Sequence, residues 1–209
     1  MILLLYVDDM LIVGQGTRKI KSLKKARGKT FSMKDLGPAK QILGVHIVRD
    51  RTKKVLWLSQ EKYMTKILDR FNMSEAKPVG STLPTNCKLN AEQCPKSGKE
   101  KAEMRKVPYA SIVGSLMYAM VGMRPDITFF VGAVSQYVSN PGREHWAAVK
   151  WILRYLKGTS KVCLRLGVGK FVLERFTDSD LLGDVDSSRS TLGYVMTYAR
   201  GAVSWQSRL

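Results

Sequence analysis

Two short apolar runs open the chain, Met1–Leu5 and Met10–Val13, and the tetrapeptide Tyr6-Val7-Asp8-Asp9 lies between them. Apolar run, acidic turn, apolar run predicts a β-hairpin with Asp8 and Asp9 at its tip. A strand that starts at the first residue points to a chain that begins inside a fold. Arg18 to Lys29 then carries seven basic residues and no acid, with Ile20 and Leu23 marking one apolar helix face. Gly28 weakens that helix by about 1 kcal/mol against alanine. Gln41–Val48 and Lys54–Leu58 read as strands on either side of a polar turn, Arg49-Asp50-Arg51-Thr52. Ser59 can cap the next helix, where Tyr63, Ile67 and Phe71 share one face and Lys62, Lys66 and Arg70 point outward.

Residues 74–108, rich in Pro, Gly, Ser, Asn and Lys, read as a linker. Three helices are expected next. Tyr109–Val121 would bury Ile112, Val113, Leu116 and Met120. Pro125 suits the first turn of the second helix, with Phe130, Val131 and Val134 inward. Arg143–Leu156 presents Trp146, Val149, Ile152 and Leu153, and Gly158 is a natural stop. From Val162 the period shifts to two: Val162, Leu164 and Leu166 alternate with Cys163 and Arg165. Val172–Asp178, Gly193–Thr197 and Ala202–Trp205 continue the alternation, which predicts three or four antiparallel strands. The fold class is α+β, divided into 1–75, a linker at 76–108, a helical region at 109–160 and a sheet region at 161–209.

Composition narrows the partners. At 44% hydrophobic, 209 residues can bury a core. The formal charge of +18 predicts attraction to polyanions through counterion release, so nucleic acid is the natural partner. An anionic membrane is the rival, but no basic amphipathic helix with an aromatic face stands out, and Met1–Leu5 is too short to span a bilayer or act as a secretory signal. Cys87, Cys94 and Cys163 match no zinc spacing and read as unpaired thiols of a reducing, intracellular compartment, cytoplasmic or nuclear. His46 and His145 lie beside no nucleophile or metal spacing and are assigned to packing.

Adjacent carboxylates inside an apolar stretch are costly unless a cation offsets them. Oxygen donors at a hairpin tip suit Mg²⁺. A plain Asp-rich turn is the simpler reading of Asp8-Asp9 alone, and a solvated helix face is the simpler reading of Arg18, Lys19, Lys21, Lys24 and Lys25.

The flanks add more. Leu4-Leu5-Tyr6-Val7-Asp8-Asp9-Met10-Leu11-Ile12 resembles the active-site hairpin of reverse transcriptases of the copia type of retrotransposon. Phe31–Gly37, Leu43–Ile47, Ser59–Tyr63, Tyr109–Tyr118, Arg124–Ile127 and His145–Thr159 resemble successive later segments of the same Pol polyproteins, in the same order. Thr177-Asp178-Ser179-Asp180, Arg189-Ser190-Thr191, Gly193-Tyr194-Val195 and Ala202–Ser207 resemble the start of the family's ribonuclease H domain.

The resemblance implies an RNA-directed DNA polymerase acting on RNA, DNA or an RNA–DNA duplex with Mg²⁺. Asp8 and Asp9 would be catalytic and metal-binding. Tyr6 and Val7 would approach the primer end and template, and the basic run would contact phosphates. Region 1–75 would be partial palm and thumb, 109–160 the connection and 161–209 an incomplete ribonuclease H-like sheet, whose first metal-binding carboxylate is Asp178. The family's other ligands would lie upstream of Met1 and beyond Leu209. Asp180, Asp184 and Asp186 take no firm metal role, and Asp178–Asp186 reads more simply as an acidic loop. The expectation is a fragment inactive on its own, or a non-catalytic remnant that binds nucleic acid.

Overall fold

The computed structural model of the chain describes residues 1–84, 87–167, 169–180, 184 and 186–208. Parts of the predicted linker (85 and 86) and of the acidic loop (181–183 and 185), and the final Leu209, lie outside the described residues. The fold mixes helices with three antiparallel sheets, as the α+β reading requires.

The opening runs form β1 (Ile2–Tyr6) and β2 (Asp9–Val13), and among the described residues they pair only with each other. α1 (Thr17–Thr30) continues unbroken through Gly28, where a side chain would meet open space. None of its residues is buried, so the glycine costs helix propensity and no packing.

The predicted strand Gln41–Val48 is instead two strands. β3 (Gln41–Ile42) turns into β4 (Val45–Asp50) at Leu43 and Gly44, both left-handed with φ of 49° and 70°. Two central residues of positive φ make the tight hairpin that matches strand twist, and the glycine makes it affordable in steric terms. The Tyr118 hydroxyl donates to the Leu43 carbonyl and pins the turn. The following turn falls at 51–54, two residues later than the polar cluster suggests. Asp50 stays in β4, and its carboxylate accepts from the Thr52 and Lys53 amides. β5 (Val55–Ser59) completes that hairpin, and the Ser59 hydroxyl accepts from the Glu61 amide at the start of α2 (Glu61–Arg70). The strand expected over Val162–Leu166 is β6 (Leu164–Leu166), and its sheet is a surprise. It pairs with β5, Trp57 opposite Arg165, and so belongs with β3–β5. The last sheet is β7 (Leu173–Ser179), β8 (Leu192–Tyr198) and β9 (Gly201–Arg208). At Gly201 a Cβ would come within 2.7 Å of the Arg165 carbonyl, so only glycine lets β9 approach β6 so closely.

The core is helical. α2 supplies Met64, Ile67 and Leu68; α4 (Tyr109–Gly122) supplies Ile112, Val113 and Leu116; α5 (Thr128–Ser135) supplies Val131 and Val134; α6 (Arg143–Gly158) supplies Val149, Ile152, Leu153 and Leu156. Tyr63, Phe71, Met120, Phe130 and Trp146 pack at its margin. Residues 76–108 lie against this core. They carry α3 (Gly98–Met104), capped by Ser97 and Glu100, and place Leu83, Cys87, Leu89 and Val107 on the core surface. Trp151 Nε1 donates to the Ser81 carbonyl at 2.9 Å and Arg154 Nε to that of Lys77 at 2.7 Å, fastening the segment to α6.

The two histidines part company. His46 is exposed on β4, because its strand parity points it away from Val45 and Ile47; the packing expectation fails there. His145 is 0% exposed and stacks on Tyr137 with ring centroids 3.8 Å apart. The Gly142 amide donates to Nδ1 at 2.9 Å, so the proton sits on Nε2, which faces the Asn90 carbonyl at 3.2 Å. Burial pushes the imidazole pKa below its ordinary 6.5. The unfolded chain therefore takes up this proton first on acidification, and the stability tied to neutral His145 is complete above pH 6.5 and declines below it. Thermal melts from pH 8 to pH 5 should show that decline, and His145→Gln should remove its share; a parallel decline in the variant would refute this role.

Candidate functional site

The Asp pair owes its presentation to a two-residue loop. Tyr6 pairs with Asp9, leaving Val7 and Asp8 at the turn. Val7 has a φ of 49° and is 87% exposed. A β-branched residue in that region is strained by roughly 1–3 kcal/mol, a cost that concentrates at functional turns. Asp8, Asp9 and Tyr6 are all exposed around it. Asp9, the first residue of β2, has its backbone fixed by pairing, whereas Asp8 sits on the turn itself.

Two neighbouring exposed carboxylates fit Mg²⁺, which binds through one or two carboxylates and keeps several waters. Among the described residues, no group of three or more His, Cys, Asp or Glu gathers into a metal site.

α1 meets the other end of the hairpin. Met1, Ile2, Val13, Gly14, Lys19 and Ile20 line a groove of about 430 Å³ between them. A five-residue antiparallel strand rises about 17 Å, so the start of the basic helix and the acids stand at opposite ends of the hairpin. Arg18, Lys19, Lys21 and Lys25 are exposed, while Lys24 is half-buried and its Nζ donates to Asp35 Oδ1 at 2.7 Å. That hydrogen bond, with another from the Gly37 amide, holds the Asp35 carboxyl below the usual range. Lys24 thus has a partner inside the fold, which the run of charges could not disclose.

Asp178 is near the end of β7, every residue of which is exposed, and it pairs with Gly193 of β8. It lines an open cleft of about 370 Å³ with Phe129, Phe176, Asp180 and Trp205. This strand shares no sheet with the hairpin. The neighbouring acids have structural partners. Asp180 accepts from the Thr191 amide at 2.5 Å, Asp184 from the Ser187 amide at 2.8 Å, and Asp186 from both the Tyr137 hydroxyl at 2.8 Å and the Ala91 amide at 2.9 Å.

One polar constellation was not foreseen. Arg124 is 2% exposed, and its Nε and Nη2 donate to the two oxygens of Asp126 at 2.9 and 2.7 Å. Nη2 also donates to Thr159 Oγ1 at 2.7 Å, and the Tyr155 hydroxyl donates to Asp126 Oδ2 at 2.8 Å. Sequence supplied the motif Arg124-Pro125-Asp126 but no sign of burial, since arginine is rarely buried.

Residues 1–86 match the family model of reverse transcriptase (RNA-dependent DNA polymerase). Over its full length the chain is 57% identical to the retrovirus-related Pol polyprotein from transposon TNT 1-94 of Nicotiana tabacum, of which it spans 16%. It is 36% identical, over 99% of its length, to the Pol polyprotein from transposon RE2 of Arabidopsis thaliana, of which it spans 14%. An uncharacterised mitochondrial protein of Arabidopsis thaliana is 35% identical over the whole chain and is covered for 83% of its own length. No solved structure gives a significant match. No helix among the described residues is long and apolar enough to cross a membrane. The turn-borne acids, the order of the motifs and these alignments agree: the chain belongs to the reverse transcriptase family of copia-type retrotransposon Pol polyproteins.

Proposed function

We propose that this chain supplies the Asp8–Asp9 part of an RNA-directed DNA polymerase site and, by itself, binds RNA–DNA duplexes without extending them. The observation that carries the proposal is the Tyr6-Val7-Asp8-Asp9 turn, strained at Val7 and open to solvent on the tip of its hairpin. Asp8 and Asp9 would hold Mg²⁺ through their carboxylates. When bound, the metal would activate a primer hydroxyl and neutralise triphosphate charge. Tyr6, exposed beside the acids, offers a ring to the primer end, and Val7 lies against the template. A two-metal reaction draws carboxylates from more than one strand, and here both acids come from one hairpin, which is why the chain alone is assigned binding and not turnover.

Arg18, Lys19, Lys21 and Lys25 would hold phosphates, Lys24 being partly committed to Asp35. In the same reading, residues 1–75 are palm and thumb, 76–108 the linking segment, 109–160 the connection, and 161–209 the start of a ribonuclease H-like sheet with Asp178 as its first metal-binding carboxylate, all in an intracellular protein. β6, paired to β5, would then be shared with the first of these regions.

The test runs primer extension on an RNA template with Mg²⁺, beside duplex binding over a salt series, for the wild type and for Asp8→Asn/Asp9→Asn. Both proteins should bind and neither should extend, but Mg²⁺ should tighten binding by the wild type and not by the double variant. Extension by the wild type that the double variant loses would mean the chain completes its own site and would overturn the inactive reading. The four exposed basic residues make a separate prediction. Replacing them together by alanine should flatten the plot of log affinity against log salt by about 3.6. An unchanged slope would return α1 to a solvated face. The charge of +18 also favours a plainer second reading, a basic nucleic-acid-binding remnant, in which Mg²⁺ and the Asp pair have no effect on any readout.

A further inference from the structure

We propose that the open face of the β3–β6 sheet, centred on Trp57, is a stacking platform for single-stranded nucleic acid. The inference rests on the nucleic-acid reading above and names a surface that reading does not use. In antiparallel sheets, residues directly opposite one another share a face. Val48 lies opposite Trp57, and Trp57 opposite Arg165. The next pair along, His46 and Ser59, falls on the same face. Val48, His46 and Arg165 are exposed and the indole is half-exposed among them. The apolar residues of opposite parity, Ile47, Leu58, Leu164 and Leu166, are all half-buried; on the Trp57 face Val55 is covered, at 5% exposure, beside Asp50, so the open part of that face is the stretch holding Trp57, Val48, His46 and Arg165.

Among the other tryptophans, Trp151 and Trp205 spend their indole N–H groups on backbone carbonyls, and Trp146 packs on the core. Among the described residues, the Trp57 N–H has no hydrogen-bond partner; the ring's polar contact is the Arg165 guanidinium, 5.8 Å from its centroid. The surroundings select a polyanion. Arg51, Lys53 and Lys54 sit exposed in the turn at one end of the β4–β5 hairpin, and Arg165 and His46 flank the ring. The acid on this face, Asp50, accepts from Thr52 and from the Lys53 amide through Oδ1 at the turn, where the three exposed cations outnumber it. An aromatic face beside cations on an open sheet suits an unpaired base with its phosphates: the base stacks on the indole and the backbone follows the cations. A duplex offers no free base face, so the occupant is a single strand.

Binding of an oligouridylate 12-mer, of an RNA–DNA duplex and of heparin (a polyanion without bases) would be measured for the full chain and for Trp57→Leu and Trp57→Phe. Leucine keeps apolar bulk without a π face, and a cooperative melt at the wild-type temperature certifies its fold; if it melts lower, Trp57→Leu is compared with Trp57→Phe at a temperature where both are folded, and equal oligouridylate affinities would overturn the platform. Trp57→Leu should weaken oligouridylate binding at least fivefold and leave duplex and heparin binding unchanged, while Trp57→Phe retains affinity within about threefold. Unchanged oligouridylate binding in Trp57→Leu would overturn the platform, as would an equal loss for heparin, which would make the face merely electrostatic. Absence of all nucleic-acid binding by the wild type would instead overturn the proposed function on which the platform rests.

Discussion

Replacing Arg124 by alanine is expected to lower the stability of the chain by about 3 kcal/mol, the low end of the range for buried ion pairs, since the cation is buried and its partner is 34% exposed. For a protein of this size that is a fall in Tm of about 6–12 °C. The guanidinium lies over the Tyr155 ring, forks onto both Asp126 oxygens, and donates to the carbonyl and hydroxyl of Thr159 beyond the end of α6. It therefore ties the corner between α4 and α5 to the C-terminus of α6, where cations are favoured by unsatisfied carbonyls. Alanine removes every one of these donors and leaves the Asp126 carboxylate, 34% exposed, with the Tyr155 hydroxyl. Lysine retains charge but not the fork, so Arg124→Lys should recover less than half of the loss. Equal stability of wild type and Arg124→Ala would show that the network is a crystal-like ornament with no net energy.

The same network fixes a direction with pH. Burial pushes the Asp126 carboxyl up, but the Arg124 hydrogen bonds and charge outweigh it and hold the pKa below the ordinary 3.8. Its contribution is complete above about pH 4 and is lost as pH falls through the folded value. Acid melts of wild type and Asp126→Asn should converge as pH falls below that range.

What was legible in the sequence was what periodicity encodes. The hairpin, the helices α4 to α6 and the strands β7 to β9 all carry their own apolar pattern, and each forms close to where that pattern places it. Long-range partners were not legible. Val162–Leu166 alternates like any half-buried strand, and nothing in five residues says that its neighbour is Trp57 and not β7. The turn at Leu43-Gly44 was hidden inside an apolar run because leucine seldom occupies a left-handed φ. At the site, adjacency made Asp8 and Asp9 visible together, whereas the pairing of Lys24 with Asp35 and of Asp186 with Tyr137 joins residues 11 and 49 apart. A charge or a turn residue announces its type, but its partner is chosen by the folded chain.

Stability should also be divided unequally between the core and the acidic hairpin, and Ile152→Ala against Ile12→Ala measures the division. Ile152 is fully enclosed between helices, so truncation should cost about 3–4 kcal/mol through lost transfer energy and a residual cavity. Ile12 is half-buried in β2, opposite Leu3 on a two-stranded sheet whose outer residues, such as Leu5 at 67% exposure, meet solvent. Its truncation should cost about 1 kcal/mol or less, because little packed volume is lost. Chemical denaturation followed by far-UV circular dichroism reads both, and equal costs would show that the hairpin folds as part of the core. The expected inequality has a consequence for the acids. A hairpin that opens at low free energy cannot by itself hold two carboxylates on a metal with the precision a polymerase needs. Amide exchange should therefore be fast across β1 and β2 and slow in α4 and α6, and any partner surface that covers Leu4 and Leu5 should slow exchange at Asp9 before it changes exchange at Ile152.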